Sequence, residues 1–245
     1  MTVNHLIGRG LVFYWRTHAA VVVGVATAVA VLCGALLVGD SVRGSLRDLL
    51  LLQLGRTDRV VVSTGFFREA LAGDLQDDAS FGASFEAICP LIVAQGAVTE
   101  QASARRASRV AVYGVDERFW RFHGMDPPDT NDRGVLLSPA LASDIGARVG
   151  GTVLVRLERP TDLPLESLHS RKDNRAEALA LTVLGIRGAA ELGEFSLRPQ
   201  QGGVRAVFVS LTRLQSDLDL GGRVNTMLVS DRPSGAPPGS SLGTL

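Results

Sequence analysis

The sequence predicts an α+β chain with one N-terminal transmembrane helix, an outward helical stalk and a mixed-sheet α+β domain outside the membrane. Three observations predict it. Ala19 to Val38 carry no charge, and only Gly24, Thr27, Cys33 and Gly34 interrupt a run of Ala, Val and Leu; at about 1.5 Å per residue such a helix covers roughly 30 Å, the thickness of a bilayer's hydrocarbon core. Helical spacing continues beyond it, with Val42, Leu46, Leu49, Leu50 and Leu54 near a 3.6-residue period and Gly44 within. From Asp58 the period changes, and strand-like and helix-like stretches alternate in an irregular order, which argues for mixed sheets over a regular doubly wound one. The organisation is then an entry segment 1–18, a span 19–38, a stalk 39–57, a domain 58–231 and a linker or truncated end 232–245.

Each element has its own reason. Val3 to Arg16 sets Leu6, Ile7, Leu11, Phe13, Tyr14 and Trp15 beside His5, Arg9 and Arg16, a pattern suited either to the headgroup level or to the first turns of the membrane helix. The span is too long for a signal-peptide apolar region of roughly 7–15 residues, and Gly39-Asp40-Ser41-Val42-Arg43 follows where a small-x-small cleavage site is expected; an uncleaved anchor is predicted. Arg9 and Arg16 on one side balance Arg43, Arg47 and Arg56 on the other, so flanking charge does not set the orientation. Long domains translocate largely regardless of charge, which favours a cytoplasmic N-terminus in the cell (inner) membrane. A stripe of small residues on one side of the helix, at Ala20, Gly24, Ala28, Val31 and Ala35, permits close approach of another membrane helix. Leu49 to Leu52 are four leucines in a row, more than one helix face can hide, so a partner helix or the chain's own domain must cover them. Leu46, Leu49 and Leu50 are the candidate stalk interface.

In the domain, strands are expected at Arg59–Ser63, Ile88–Glu100, Arg109–Val115, Gly134–Ser138, Thr152–Glu158, Leu179–Arg187, Val204–Ser210 and Arg223–Ser230. Helices are expected at Phe66–Leu75, Arg118–Phe122 and Leu211–Leu218, and at Ala140–Arg148 after Pro139 at a first helical position, stopped by Gly150-Gly151. Pro127-Pro128-Asp129 is a loop, Arg159 to Ala176 a long exposed one, and Pro233 to Leu245 is rich in Pro, Gly and Ser.

Composition excludes several classes. The 245 residues balance 25 basic against 25 acidic side chains, which argues against nucleic acid as a partner. The lysine is Lys172, with neither a glycine run before it nor a hydroxyl after it, so a phosphate-cradling P-loop is absent. Cys33 lies mid-span and Cys89 far beyond it; no disulfide is expected. Gly39 to Gly44 resembles a nucleophile elbow, but its second glycine comes one place late and no strand precedes Ser41. Asp129 to Gly134 opens like a calcium loop, yet Arg133 occupies a ligand position and Ala140 stands where a bidentate glutamate belongs. His5, His18, His123 and His169 have no metal-ligand spacing, and Glu158, Asp162 and Glu166 read as solvated surface. No catalytic residue, metal or cofactor is expected.

The order of parts, from amphipathic entry through one span and stalk to an α+β domain, resembles the permease subunits of MacB-like and FtsX-like ABC transporters. Leu36-Leu37-Val38-Gly39-Asp40-Ser41-Val42-Arg43-Gly44-Ser45-Leu46 is similar to that family's span-to-stalk junction. Val112-Tyr113-Gly114-Val115-Asp116 with Phe119-Trp120, then Val135-Leu136-Leu137-Ser138 and Leu141-Ala142 ahead of Gly150, resemble its extracytoplasmic core domain, as do Leu181 to Ile186 and Val207 to Leu211. The resemblance implies a subunit that does no chemistry itself: a separate ABC ATPase drives it, and it works in the membrane as a homodimer or paired permease. Members of that family carry three further spans after the outer domain, so the resemblance implies that this chain is a fragment or truncated reading frame. The same residues also fit a single-span sensor or adaptor with an extracytoplasmic ligand- or protein-binding domain, or an anchored assembly scaffold.

Overall fold

A computed structural model describes residues 13–129, 132–157, 178–198 and 202–232, and the chain divides into two compact units, Met1–Leu51 and Leu52–Leu245. The first is dominated by helix α1, Trp15–Leu54, which runs unbroken for 40 residues across the predicted span and stalk. Trp15 and Arg16 are thus the first turn of that helix, while most of the predicted entry segment lies outside the described residues. Gly24, Gly34, Gly39 and Gly44 do not break the helix. In hydrocarbon every backbone amide needs an internal partner, and that requirement outweighs the cost of about 1 kcal/mol per glycine. Thr27 satisfies its own hydroxyl by donating to the Val23 carbonyl at 2.8 Å. Among the described residues α1 is the one helix long and apolar enough to cross a membrane.

The second unit holds eight strands: β1 Arg59–Arg68, β2 Phe85–Glu100, β3 Arg106–Val115, β4 Gly134–Leu137, β5 Thr152–Leu157, β6 Ala178–Ile186, β7 Ala206–Ser210 and β8 Arg223–Asp231. Its short helices are α2 Leu71–Gln76, α3 Phe81–Ser84, α4 Glu117–Phe122, α5 Pro139–Ile145 and α6 Leu211–Asp217. The sheet is mixed, as predicted, with β3–β7 and β4–β6 parallel and the remaining pairs antiparallel. Following the ladders gives β2–β3–β7–β4–β6–β5 and back to β2, a closed six-stranded barrel. Strand β2 belongs to two sheets: Phe85 to Leu91 pair with β8, which in turn carries β1, while Gly96 to Glu100 pair with β5 and close the barrel.

Strand alternation sorts the core. Val153, Val155 and Leu157 of β5, Leu179, Leu181 and Val183 of β6, and Val207 and Val209 of β7 join Ile92, Val98, Val110 and Val112 in one buried cluster, to which α5 and α6 add Leu141, Ile145, Leu211 and Leu214. The intervening positions Tyr113, Leu136 and Phe208 face the other way, into an aromatic cluster with Phe119, Trp120, Phe122 and Phe195. A third, smaller cluster joins Ile88, Met227 and Val229 to Ala72 of α2. Ser138, fully buried, caps α5: its Oγ accepts from the Leu141 amide at 3.3 Å and the Ala206 amide at 3.0 Å.

Two element predictions are corrected. The helix expected at Phe66–Leu75 is a strand as far as Arg68, because after a bulge β1 pairs with β8 again at Phe67↔Val224 and Arg68↔Arg223, and both phenylalanines pack on the barrel cluster; helix begins only at Leu71. The helix expected to reach Arg148 stops at Ile145, where Gly146 turns left-handed at φ 71°. Helix α1 ends at Leu54, and Gly55 follows with φ 57°. The predicted loop Arg159–Ala176 and the tail Pro233–Leu245 lie outside the described residues.

Candidate functional site

Leu46, Leu49 and Leu50 lie on the C-terminal part of α1, at the i, i+3 and i+4 positions that share one helix face. Leu46 and Leu49 are exposed and Leu50 is half-buried.

Within the second unit, the end of α1 builds a joint that the sequence reading did not single out. Gln53 and Thr57 are buried, and the Gln53 carbonyl accepts from the Ser196 amide at 3.2 Å. Between them the chain turns at Gly55, where a Cβ would come within 2.6 Å of His123 Nδ1 and 3.1 Å of the Leu192 side chain; no larger residue fits that approach. The Arg56 amide then donates to His123 Nδ1 at 3.2 Å, which places the imidazole proton on Nε2. The His123 ring sits against Phe119, Phe122 and Phe195, with centroids 4.8, 5.0 and 5.4 Å away. Burial, and secondarily the charge of Arg56, push its imidazole down to about 4. The Arg56 guanidinium meets Glu86 of β2 at 2.8 Å.

Beside the aromatic cluster is an open cleft between Trp120, Phe208, Pro127 and Pro128, rimmed by Asp116, Glu117 and Ser210. Its polar groups are engaged. The Asp116 carboxylate caps α4 and takes the Arg118 guanidinium at 2.9 Å, Glu117 holds Arg121 at 2.7 Å, and Ser210 donates to Asp132 at 3.0 Å. Glu69 also accepts from Arg118. The Arg118–Glu69 pair ties α4 to the turn that follows β1.

The other residues weighed in the sequence are dispersed. Ser41 lies in the interior of α1, with helix and no strand before it, so its glycine-flanked pattern makes no elbow. Asp129 and Asp132 are described but not the two residues between them, and among the described residues no group of three or more His, Cys, Asp or Glu side chains is arranged to hold a metal ion. His18 is on α1; His5, His169, Lys172, Glu158, Asp162 and Glu166 lie outside the described residues. Cys33 is exposed on α1 and Cys89 is buried in β2, where burial pushes its thiol up to about 12.

The model of the MacB-like periplasmic core domain matches residues 19–239. The chain belongs to this family. The MacB-like periplasmic core domain is a component of ABC transporter permeases, and with its apolar helix the chain is a membrane protein with an extracytoplasmic domain. Among solved structures the chain is similar to the periplasmic region of MacB from Actinobacillus actinomycetemcomitans, at 12% identity and TM-score 0.45 over 75% of this chain and 78% of that one. It is also similar to the extracellular domain of the ABC-type transporter YknZ from Gram-positive bacteria, at 10% identity and TM-score 0.43 over 69% and 75% of the two chains. A domain of a permease protein from Porphyromonas gingivalis is similar at 14% identity and TM-score 0.42 over 75% and 78%. A comparison with curated proteins returns no match.

Proposed function

We propose that this chain is the permease subunit of an ABC transporter, with α1 crossing the membrane, the N-terminus in the cytoplasm and the barrel domain outside. A separate ATPase hydrolyses ATP, and the stalk portion of α1 carries the resulting movement to the outer domain, for export or for another extracytoplasmic change. The observation that carries this reading is the continuity of α1. At 40 residues it is about 60 Å long, roughly twice the hydrocarbon thickness, so one rigid element serves as both span and stalk. A break at Gly39 or Gly44 would let the two halves move independently; an unbroken hydrogen-bonded helix does not.

The stalk leucines supply the partner. In a homodimer or paired permease, Leu46, Leu49 and Leu50 pack against a second helix, where water outside the bilayer supplies a driving force of about 1.5–3 kcal/mol per buried side chain. Leu49→Asp, in the full-length subunit assembled with its ATPase, is expected to leave ATP turnover running while transport falls, because a carboxylate there must be desolvated or hold the helices apart. The thermal midpoint of the outer domain is expected to be unchanged. A midpoint lowered by several degrees with coupling intact would show instead that Leu49 serves the chain's own domain.

A further inference from the structure

We infer that His123 is a proton-operated latch on the turn that follows α1: as neutral imidazole it holds residues 53–57 against the barrel domain, and as imidazolium it releases them. The argument rests on which atoms meet. His123 Nδ1 is the acceptor for the Arg56 amide. A proton taken from solvent onto Nδ1 leaves both ring nitrogens as donors, so the Arg56 amide loses its acceptor and faces a donor at the same short distance. The ring cannot back away to relieve this on its Gly55 side, where it already lies at a separation that would admit no Cβ.

The surroundings make that one hydrogen bond decisive. Among the described residues, three buried polar atoms, Gln53 Oε1, Thr57 Oγ1 and His123 Nε2, have no hydrogen-bond partner. The closed joint therefore carries the desolvation of a carbonyl, a hydroxyl and a ring N–H without compensation from the described residues, which subtracts from what its backbone bonds and burial supply. Three phenyl rings surround the imidazole and offer no counter-charge. The charged groups on the elements packed around it are Arg56 after α1 with Glu86 of β2, Glu117, Arg118 and Arg121 on α4, and Glu191, Glu194 and Arg198 in the segment that carries Leu192, Phe195 and Ser196. Arg56 alone among them acts on the ring, and it repels the added proton. The direction of linkage follows. A released imidazole takes up a proton near its ordinary value of 6.5, the latched one only near 4. Between those values the released state binds more protons, so the latch is at full strength above 6.5 and weakens as pH falls toward 4.

Amide hydrogen exchange on the full chain in phosphatidylcholine nanodiscs, read from pH 7.5 to pH 4 and corrected for intrinsic exchange, tests this. Protection of the amides of Arg56, Thr57 and Ser196 is expected to fall by about tenfold per pH unit below the free imidazole value, while amides of Val207 to Val209 stay protected. His123→Gln, which keeps an acceptor but does not titrate, is expected to show no such fall. Protection at residues 56 and 57 that is constant from pH 7.5 to pH 4 in the unmodified chain overturns the proposal by itself, whether or not any variant folds. An equal fall in His123→Gln overturns it as well.

Discussion

Phe119→Ala is expected to destabilise the barrel domain by about 3–5 kcal/mol, the range for removing a fully buried aromatic ring. Phe119 is inaccessible to solvent, and its ring lies 5.3 Å from Trp120, 5.2 Å from Phe195, 4.8 Å from His123 and 6.0 Å from Phe208. No neighbour is placed to collapse into the space: Trp120 and Phe208 pack on one another, and Phe195 is held between Tyr113 and His123. For a domain of this size the loss corresponds to a fall in midpoint of roughly 6–20 °C, measurable by calorimetry. A fall of less than about 2 °C would mean that α4 is not anchored through this ring.

Gly96→Val is expected to open the barrel. At Gly96 strand β2 is bounded on both edges, pairing with Val110 of β3 and Leu157 of β5. A Cβ there would lie 2.3 Å from the Arg156 carbonyl oxygen, a backbone atom that cannot swing aside. The strands must part, and β2–β5 is the pairing that closes the ring. The cost is about 3 kcal/mol, and its signature is local: exchange protection is lost first in Val153 to Leu157, while the β3–β7 pairing is retained. Unchanged protection in β5 would show that closure does not depend on Gly96.

What was readable in the sequence follows from how local its cause is. Helix α1 was legible because an uncharged run such as Ala19 to Val38 leaves a backbone in lipid no alternative to helix. Most strands were legible from alternation, and α5 from Pro139, although its end at Gly146 was placed too late. Phe66 and Phe67 misled because their neighbourhood suits a helix equally well, and the choice is made by pairing with β8, a strand from the far end of the chain. Barrel closure was hidden for the same reason: it is set by Gly96 meeting Arg156 across a distant ladder, which no local window contains. Of the joint after α1, Gly55 was passed over, because the leucine run before it carried the expected stalk on to residue 57. His123 was not legible, since a lone histidine acquires its role only when Arg56 and three phenylalanines are brought around it.

The placement of the domain across the membrane from the N-terminus is tested most directly by cysteine accessibility. In a Cys33→Ala background the remaining Cys89 is buried, and its thiol is held protonated, so it is inert to maleimide. Ala79→Cys adds a thiol at an exposed position between α2 and α3, and Thr2→Cys adds one at the N-terminus. With a membrane-impermeant maleimide, Ala79→Cys is expected to react in right-side-out vesicles and to be protected in inverted ones, with Thr2→Cys behaving in the opposite way. Labelling of Ala79→Cys in inverted vesicles alone would contradict the account.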